Sequence, residues 1–246
     1  SNRFGLRSIN NKDEQNNFKF IFVGDSITEG ACVSDKSTIP SYFSFLRKDK
    51  VLNAGRSNSG PLFQLALASE LLNYNNKIEK IFADEAKFIW ITFAGNDLLN
   101  LVEEKTTLLS NYMKDGYSQD YFQNIDSLSE KQKIFLNEIV DLIENYGERS
   151  ISYGKYGETS KYEWMAKRNK KLWLEVMKKF KERVENNGLK LKLVSITHKD
   201  APKNSIMKIS ERFIDDNCQS LKIDCIKIEV PSNELNLNRT QMIDFH

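Results

Sequence analysis

Several residue types that would mark a class are scarce in this chain. Only three of its 246 residues are cysteine and two are histidine. Cys32, Cys218 and Cys225 are odd in number and are not spaced as zinc ligands, so neither a disulfide framework nor a zinc site is implied. A bridge between Cys218 and Cys225 is geometrically possible, but buried or idle thiols are the expectation. No apolar run reaches the ~18 residues that span a bilayer, and no stretch has the layout of a signal peptide. No linker rich in proline or glycine divides the chain and no internal repeat is visible, so one domain with a substantial core is expected. Charge of neither sign dominates: 36 Lys and Arg against 34 Asp and Glu leave a net +2, which gives no global field for steering nucleic acid or an anionic membrane. A small neutral or weakly charged substrate suits that balance.

What is present is an alternation of short apolar runs and longer helical patterns. Phe18 to Val23, Val51 to Ala54, Phe88 to Phe93, Leu189 to Thr197 and Ile223 to Val230 predict five strands. Between them Ser37 to Arg47, Pro61 to Tyr74, Trp164 to Val184 and Ser205 to Ser220 predict helices, the second opening on a first-turn proline. Strand alternating with helix implies a parallel sheet covered on both faces. The Lys and Arg residues from Lys167 to Arg183 are expected to form the solvated face of a crossover helix. The stretch 98–162 is longer than a strand-to-helix connection needs, which marks a helical insertion or lid. Its periodic segment is Ser129 to Tyr146, and Tyr117, Tyr121 and Phe122 add aromatic surface expected to cover a site and set selectivity.

Open parallel sheets bind ligands beyond the carboxyl ends of their strands. After the first strand come Gly24, Asp25, Ser26, Ile27, Thr28, Glu29 and Gly30, a serine at a strand-to-helix turn whose N–H groups can face an anion. Neither G-x-G-x-x-G nor a P-loop occurs there, which excludes the nucleotide-binding reading, and G-x-S-x-G is absent too. A serine nucleophile needs a base within hydrogen-bond reach. His246, two residues after Asp244, and His198, which follows the fourth strand, are the two histidines available. Acyl transfer also needs donors aimed at an oxyanion. Asn53 to Gly60 after the second strand and Ala94, Gly95, Asn96, Asp97 after the third offer backbone N–H groups and a carboxamide.

Four tracts together resemble the SGNH, or GDSL-like, hydrolase superfamily over nearly the whole chain: GDSITEG at 24–30, NAGRSNSG at 53–60, AGND at 94–97 and Asp244-Phe245-His246. The resemblance implies a flavodoxin-like α/β sandwich of three layers, with a five-stranded parallel sheet in the order 2-1-3-4-5 and the insertion after strand 3. It makes Ser26 the nucleophile, His246 the base and Asp244 its orienting partner. Ser26, Gly60 and Asn96 become the oxyanion donors, Gly60 being chosen over Asn58 in the second tract. Ala94 replaces the usual glycine of the third tract, and the fourth is the shorter D-x-H form of the family's D-x-x-H. Asp25 and Asp97 are assigned structural roles, holding the turns that present Ser26 and Asn96.

The implied activity is a serine esterase or deacylase acting on a small acyl ester, an O-acetylated glycan among the candidates, through an acyl-enzyme and with no metal or other cofactor. An O-acyltransferase with the same triad and a non-catalytic binding module on the same fold are the alternatives. The expected partner is a small-molecule or glycan ester, with no nucleic acid and no membrane span. RFGLRS at 3–8 resembles a tract preceding the first strand in a branch of bacterial SGNH proteins, which favours an exported or membrane-anchored protein over a cytoplasmic one.

Overall fold

In the first strand, β1 (Phe18–Gly24), Ile21 and Val23 are wholly buried on one side and Phe22 is buried on the other. A strand with two apolar faces must be covered on both, and a parallel sheet achieves this by sending its crossovers over the faces. The computed structural model describes residues 2–9, 16–93, 96–124, 159–201 and 206–230. Its strands β1, β2 (Val51–Gly55), β3 (Phe82–Phe93), β4 (Lys190–His198) and β5 (Asp224–Val230) form one sheet in the order β2-β1-β3-β4-β5, every neighbouring pair parallel. This is the expected order.

The helices in chain order are α1 (Ser26–Glu29), α2 (Ile39–Arg47), α3 (Pro61–Lys77), α4 (Asn96–Glu104), α5 (Tyr121–Asn124), α6 (Thr159–Asn186) and α7 (Ile206–Leu221). On one face α2 lays Phe43 edge-on against Phe20 and Phe22, with ring centroids 4.8 and 5.2 Å apart. On the other face α3, α4, α6 and α7 share the larger core, where Trp90 of β3 stacks on Phe180 of α6 at 4.5 Å. Layers of helix, sheet and helix result. Most of α3 from Pro61 to Leu72 is buried, because it lies between the sheet and the elements 96–122 and α6. Among the described residues no helix is long and apolar enough to cross a membrane.

Three features depart from the sequence reading. β3 begins at Phe82, ahead of its apolar run, because exposed Asp84 and Glu85 interrupt the pattern and the β1–β3 register shifts there. Phe82 and Ala86 are nonetheless buried. α6 begins at Thr159, before Trp164. Third, Cys218 and Cys225 are bonded to each other, not idle: the short turn from α7 into β5 brings their Cα atoms to 6.2 Å, within the range a disulfide spans. Cys32 is exposed and free. The helix expected over Ser129 to Tyr146 lies outside the described residues.

Candidate active site

β1 ends at Gly24, where no side chain fits: a Cβ would lie 2.1 Å from Thr28 Oγ1 and 2.7 Å from the carbonyl oxygen of Ile91 on β3. Buried Asp25 then caps α1, its Oδ1 accepting the Ile27 N–H at 3.0 Å. Such a cap satisfies one of the donors that a helix start leaves open. Ser26 is the first residue of α1 and is half-buried. Among the described residues its hydroxyl has no hydrogen-bond partner. At its other end α1 stops at Gly30, whose positive φ of 77° suits glycine. Arg7 clamps that end, donating to the carbonyl oxygens of Glu29, Gly30 and Val33 while pairing with Asp35.

The second tract folds directly onto the first. Gly55 ends β2 beside β1, with its Cα so close to α1 that a Cβ would lie 2.2 Å from the Glu29 nitrogen. Arg56 donates its N–H to Gly24 O at 3.0 Å, and the Ser59 hydroxyl donates to the same oxygen at 3.2 Å. The Glu29 carboxylate in turn accepts the Ser57 N–H at 2.6 Å and the Ser57 hydroxyl.

Gly60 requires a correction. It is the N-cap of α3 and its N–H is given to Glu104 Oε1 at 2.6 Å, so it faces α4 and is not available to an oxyanion. A Cβ there would meet Asn100 and Glu104. The other candidate of that tract, Asn58, is exposed at the head of the turn with φ of 58°, and among the described residues its N–H has no partner.

In the third tract Ala94 and Gly95 lie outside the described residues; Asn96 is the first residue of α4, its carboxamide also outside them. Asp97 behind it is buried, accepting the Phe93 N–H at 2.8 Å and the Gln64 Nε2 at 3.0 Å. Gln64 links three further points, since its Oε1 accepts from Trp90 Nε1 at 2.6 Å and its Nε2 also reaches Ser59 O at 3.2 Å. Asp25 and Asp97 thus hold turns, as read from the sequence. Burial holds the Asp97 carboxyl well above the usual carboxylate range, and the nearby Asp25 charge adds to this. Glu104 accepts three N–H groups from the start of α3, yet burial pushes its carboxyl up to about 7, with the Glu103 charge adding to that effect.

The tracts at 24–30 and 53–60 therefore meet at the carboxyl ends of β1 and β2, with Asp97 joined to them through Gln64 and Ser59. The fourth tract, Asp244 and His246, lies outside the described residues. His198 is the last residue of β4, two strands from β1 at the same sheet edge, its imidazole outside the described part. Arg7, Glu29, Gln64 and Glu104 were not singled out from the sequence. Gln64 had a signal, being polar within an apolar helix; Glu104 stands two turns after Asp97, on the same helical face.

Residues 112–122 of the insertion pack on the C-terminal half of α3. Glu70 of α3, buried, accepts the Tyr112 hydroxyl at 2.7 Å, the Ser118 hydroxyl at 2.9 Å and the N–H groups of Gln119 and Tyr121 at 2.7 and 2.9 Å. Phe122 packs edge-on against Phe4 and Tyr74, and Tyr117 against Tyr112. Tyr74 lies near the far end of α3, about 20 Å along the helix from Gly60 at 1.5 Å per residue. Phe122 and Tyr112 thus belong to the packing on the far half of α3, with Tyr121 and Tyr117 edge-on to them.

No family profile and no curated protein matches the chain by sequence. Among solved structures it is similar to AlinE4, a SGNH-hydrolase family esterase, with 12% identity and a TM-score of 0.45, covering 94% of this chain and 85% of that one. It is also similar to a protein of the G-D-S-L family from Desulfitobacterium hafniense DCB-2, with 13% identity and a TM-score of 0.41, covering 86% of this chain and 77% of that one. Likenesses of this degree carry no weight for chemistry, which has to come from the tracts and their contacts.

Proposed function

We propose that the chain is a serine-dependent hydrolase of the SGNH type that cleaves a small acyl ester, an O-acetylated glycan among its candidate substrates. The observation that carries this reading is the half-buried hydroxyl of Ser26, without a hydrogen-bond partner among the described residues, on a capped strand-to-helix turn against which the second tract is folded. Ser26 attacks the ester carbonyl, His246 takes its proton and Asp244 orients the imidazole. The ester C–O bond breaks as His246 returns that proton to the departing alcohol, leaving an acyl-enzyme, and water then attacks it to release the carboxylic acid and restore Ser26. The Ser26 N–H and the Asn96 carboxamide serve as oxyanion donors, with the Asn58 N–H in place of that of Gly60. Donors of this kind act on charge that develops only in the transition state.

The test is hydrolysis of a short-chain aryl ester together with labelling by a fluorophosphonate. Ser26→Ala should abolish labelling and, like His246→Ala, lower kcat by roughly three orders of magnitude or more, because the two residues act as a unit. His198→Ala should remain active. A wild type that neither turns over the ester nor takes the label sinks the reading, and loss of activity in His198→Ala with retention in His246→Ala reassigns the base.

An oxidising compartment outside the cytoplasm is the proposed location. The Cys218–Cys225 bond supports it, since such bonds persist where thiols are not kept reduced. Free-thiol counting on protein recovered from its native source checks this, three reactive thiols after denaturation arguing against it.

A further inference from the structure

We propose that Glu104 is a positioning residue that fixes the turn carrying Asn58 against the helix that begins at Asn96. This rests on the hydrolase reading above and extends it to a residue that touches no substrate.

The start of α3 has an unusual need. Its N-cap is Gly60, which has no side chain to offer, and its first residue is Pro61, which has no N–H. The donors left open are those of Gly60, Leu62 and Phe63. All three point at Glu104, at the end of a different helix: Oε1 receives Gly60 at 2.6 Å and Phe63 at 3.3 Å, and Oε2 receives Leu62 at 2.8 Å. A negative group there is also favoured by the helix dipole. The side chain that caps α3 thus belongs to α4, so the two helices cannot shift past one another without breaking the cap.

A second link runs parallel to the first. Asp97, on the same face of α4 as Glu104, holds Gln64, and Gln64 holds the Ser59 carbonyl. α4 therefore grips residues 59–64 at two levels. On one side of that grip stands Asn58, one residue before Ser59; on the other stands Asn96, one residue before Asp97. These are two of the three proposed oxyanion donors, contributed by different strand ends, and their separation is set by the α3–α4 contact. Slackening it should harm the transition state, where donor placement matters, and spare ground-state binding.

Glu104→Gln tests this because an amide cannot serve the geometry. Both carboxylate oxygens accept N–H groups, so the amide nitrogen must face one of those donors. At mildly alkaline pH the expected result on an aryl acetate is a fall in kcat of about 10- to 100-fold, short of or at the lower end of the ~10²- to 10³-fold that goes with a whole oxyanion donor. KM should stay within about twofold, since uniform binding is untouched. Affinity for a boronic acid that forms a tetrahedral serine adduct should weaken in step with kcat/KM. Unchanged kcat and unchanged boronate affinity, with only the melting temperature lowered, overturn the inference and leave Glu104 a stabilising cap. If Glu104→Gln yields no folded protein by circular dichroism, Glu104→Asp, which keeps the charge and withdraws the oxygens, undergoes the same measurements with the same two outcomes. A wild type inert to ester and boronate, or a fully active Ser26→Ala, overturns the hydrolase reading and the inference together. An active wild type with an inert Ser26→Ala and an unaffected Glu104 variant overturns the inference alone.

Discussion

Glu29 holds Ser57 by two bonds to one carboxylate oxygen, the Ser57 N–H at 2.6 Å and the Ser57 hydroxyl. The last residue of the serine-bearing helix is thereby fastened to the turn that follows β2. Hydrogen bonds to a charged acceptor contribute ~1.5–3 kcal/mol each when partly shielded. Glu29→Ala should therefore lower stability by about 2 kcal/mol in a denaturant titration, a moderate loss for a point change. It should lower kcat/KM for an aryl ester as well. Intact kcat/KM would show that the Ser57 turn does not serve the reaction.

Two buried carboxyls make stability depend on pH with a definite sign. Glu104 has an ordinary value of 4.5 and is raised to about 7, and Asp97 is raised as well. Each binds its proton more tightly folded than unfolded. Their contribution is fully present below the ordinary carboxylate range and is lost as pH rises through the folded value, so stability should decline between 4.5 and about 7. For Glu104 the loss amounts to ~3 kcal/mol at 1.36 kcal/mol per unit. Comparing urea midpoints of wild type and Glu104→Gln across that window isolates it: the variant should show the shallower decline. A wild type whose stability rises through the window, with no difference from the variant, would refute the assignment.

The bond between Cys218 and Cys225 closes a short loop, with the residues seven apart in sequence. The chain-entropy account gives about 2 kcal/mol for a loop of that length. Reductant, or Cys218→Ser with Cys225→Ser, should lower the melting temperature by several degrees, roughly 2–4 °C per kcal/mol for a chain of this size. Ester hydrolysis below the transition should be unaffected, because β5 is the outer strand furthest from β1. A melting temperature indifferent to reductant would argue against the bond.

Phe122→Ala should behave as a core truncation. The ring packs on Phe4 and Tyr74, so its removal should cost about 3–4 kcal/mol. The ratio of rates on bulky and acetyl esters should not change, for Phe122 or for Tyr117→Ala. A changed ratio would give these residues a role in selectivity.

The strands were legible wherever apolar residues dominated a short run, as in FKFIFV with Lys19 its one polar residue, because a strand buried on both faces has little polar side. The first half of β3 was not, since Asp84 and Glu85 are exposed where the β1–β3 register shifts and the pairing with β4, which starts at Lys87, has not begun. The polar tracts after β1 and β2 were legible as turns that carry N–H donors. Which donor is free was not. Gly60 loses its N–H to a carboxylate 44 residues away, and no local pattern encodes a partner at that distance. Glu70 hid for the same reason: within α3 it reads as one polar residue, and its role appears only when Tyr112 and Ser118 fold back upon it. The cysteine pair was ambiguous because spacing permits a bridge without requiring one.

The position of β1 between β2 and β3 has a consequence for how the site comes into being. Ile21 pairs with Leu52 on one side and with Phe88 on the other, so the inner strand is complete only after two long loops have closed. Pairings between distant parts of a chain are entropically slow to form. The wall behind Gly24 is the Ile91 carbonyl, and the wall behind Gly55 is the backbone of Glu29. The serine turn therefore has no rigid surroundings in a nascent chain that has not yet delivered β3, whatever its local preference for a helix start. The surroundings of Ser26 arrive with the cooperative closure of the sheet centre, not ahead of it.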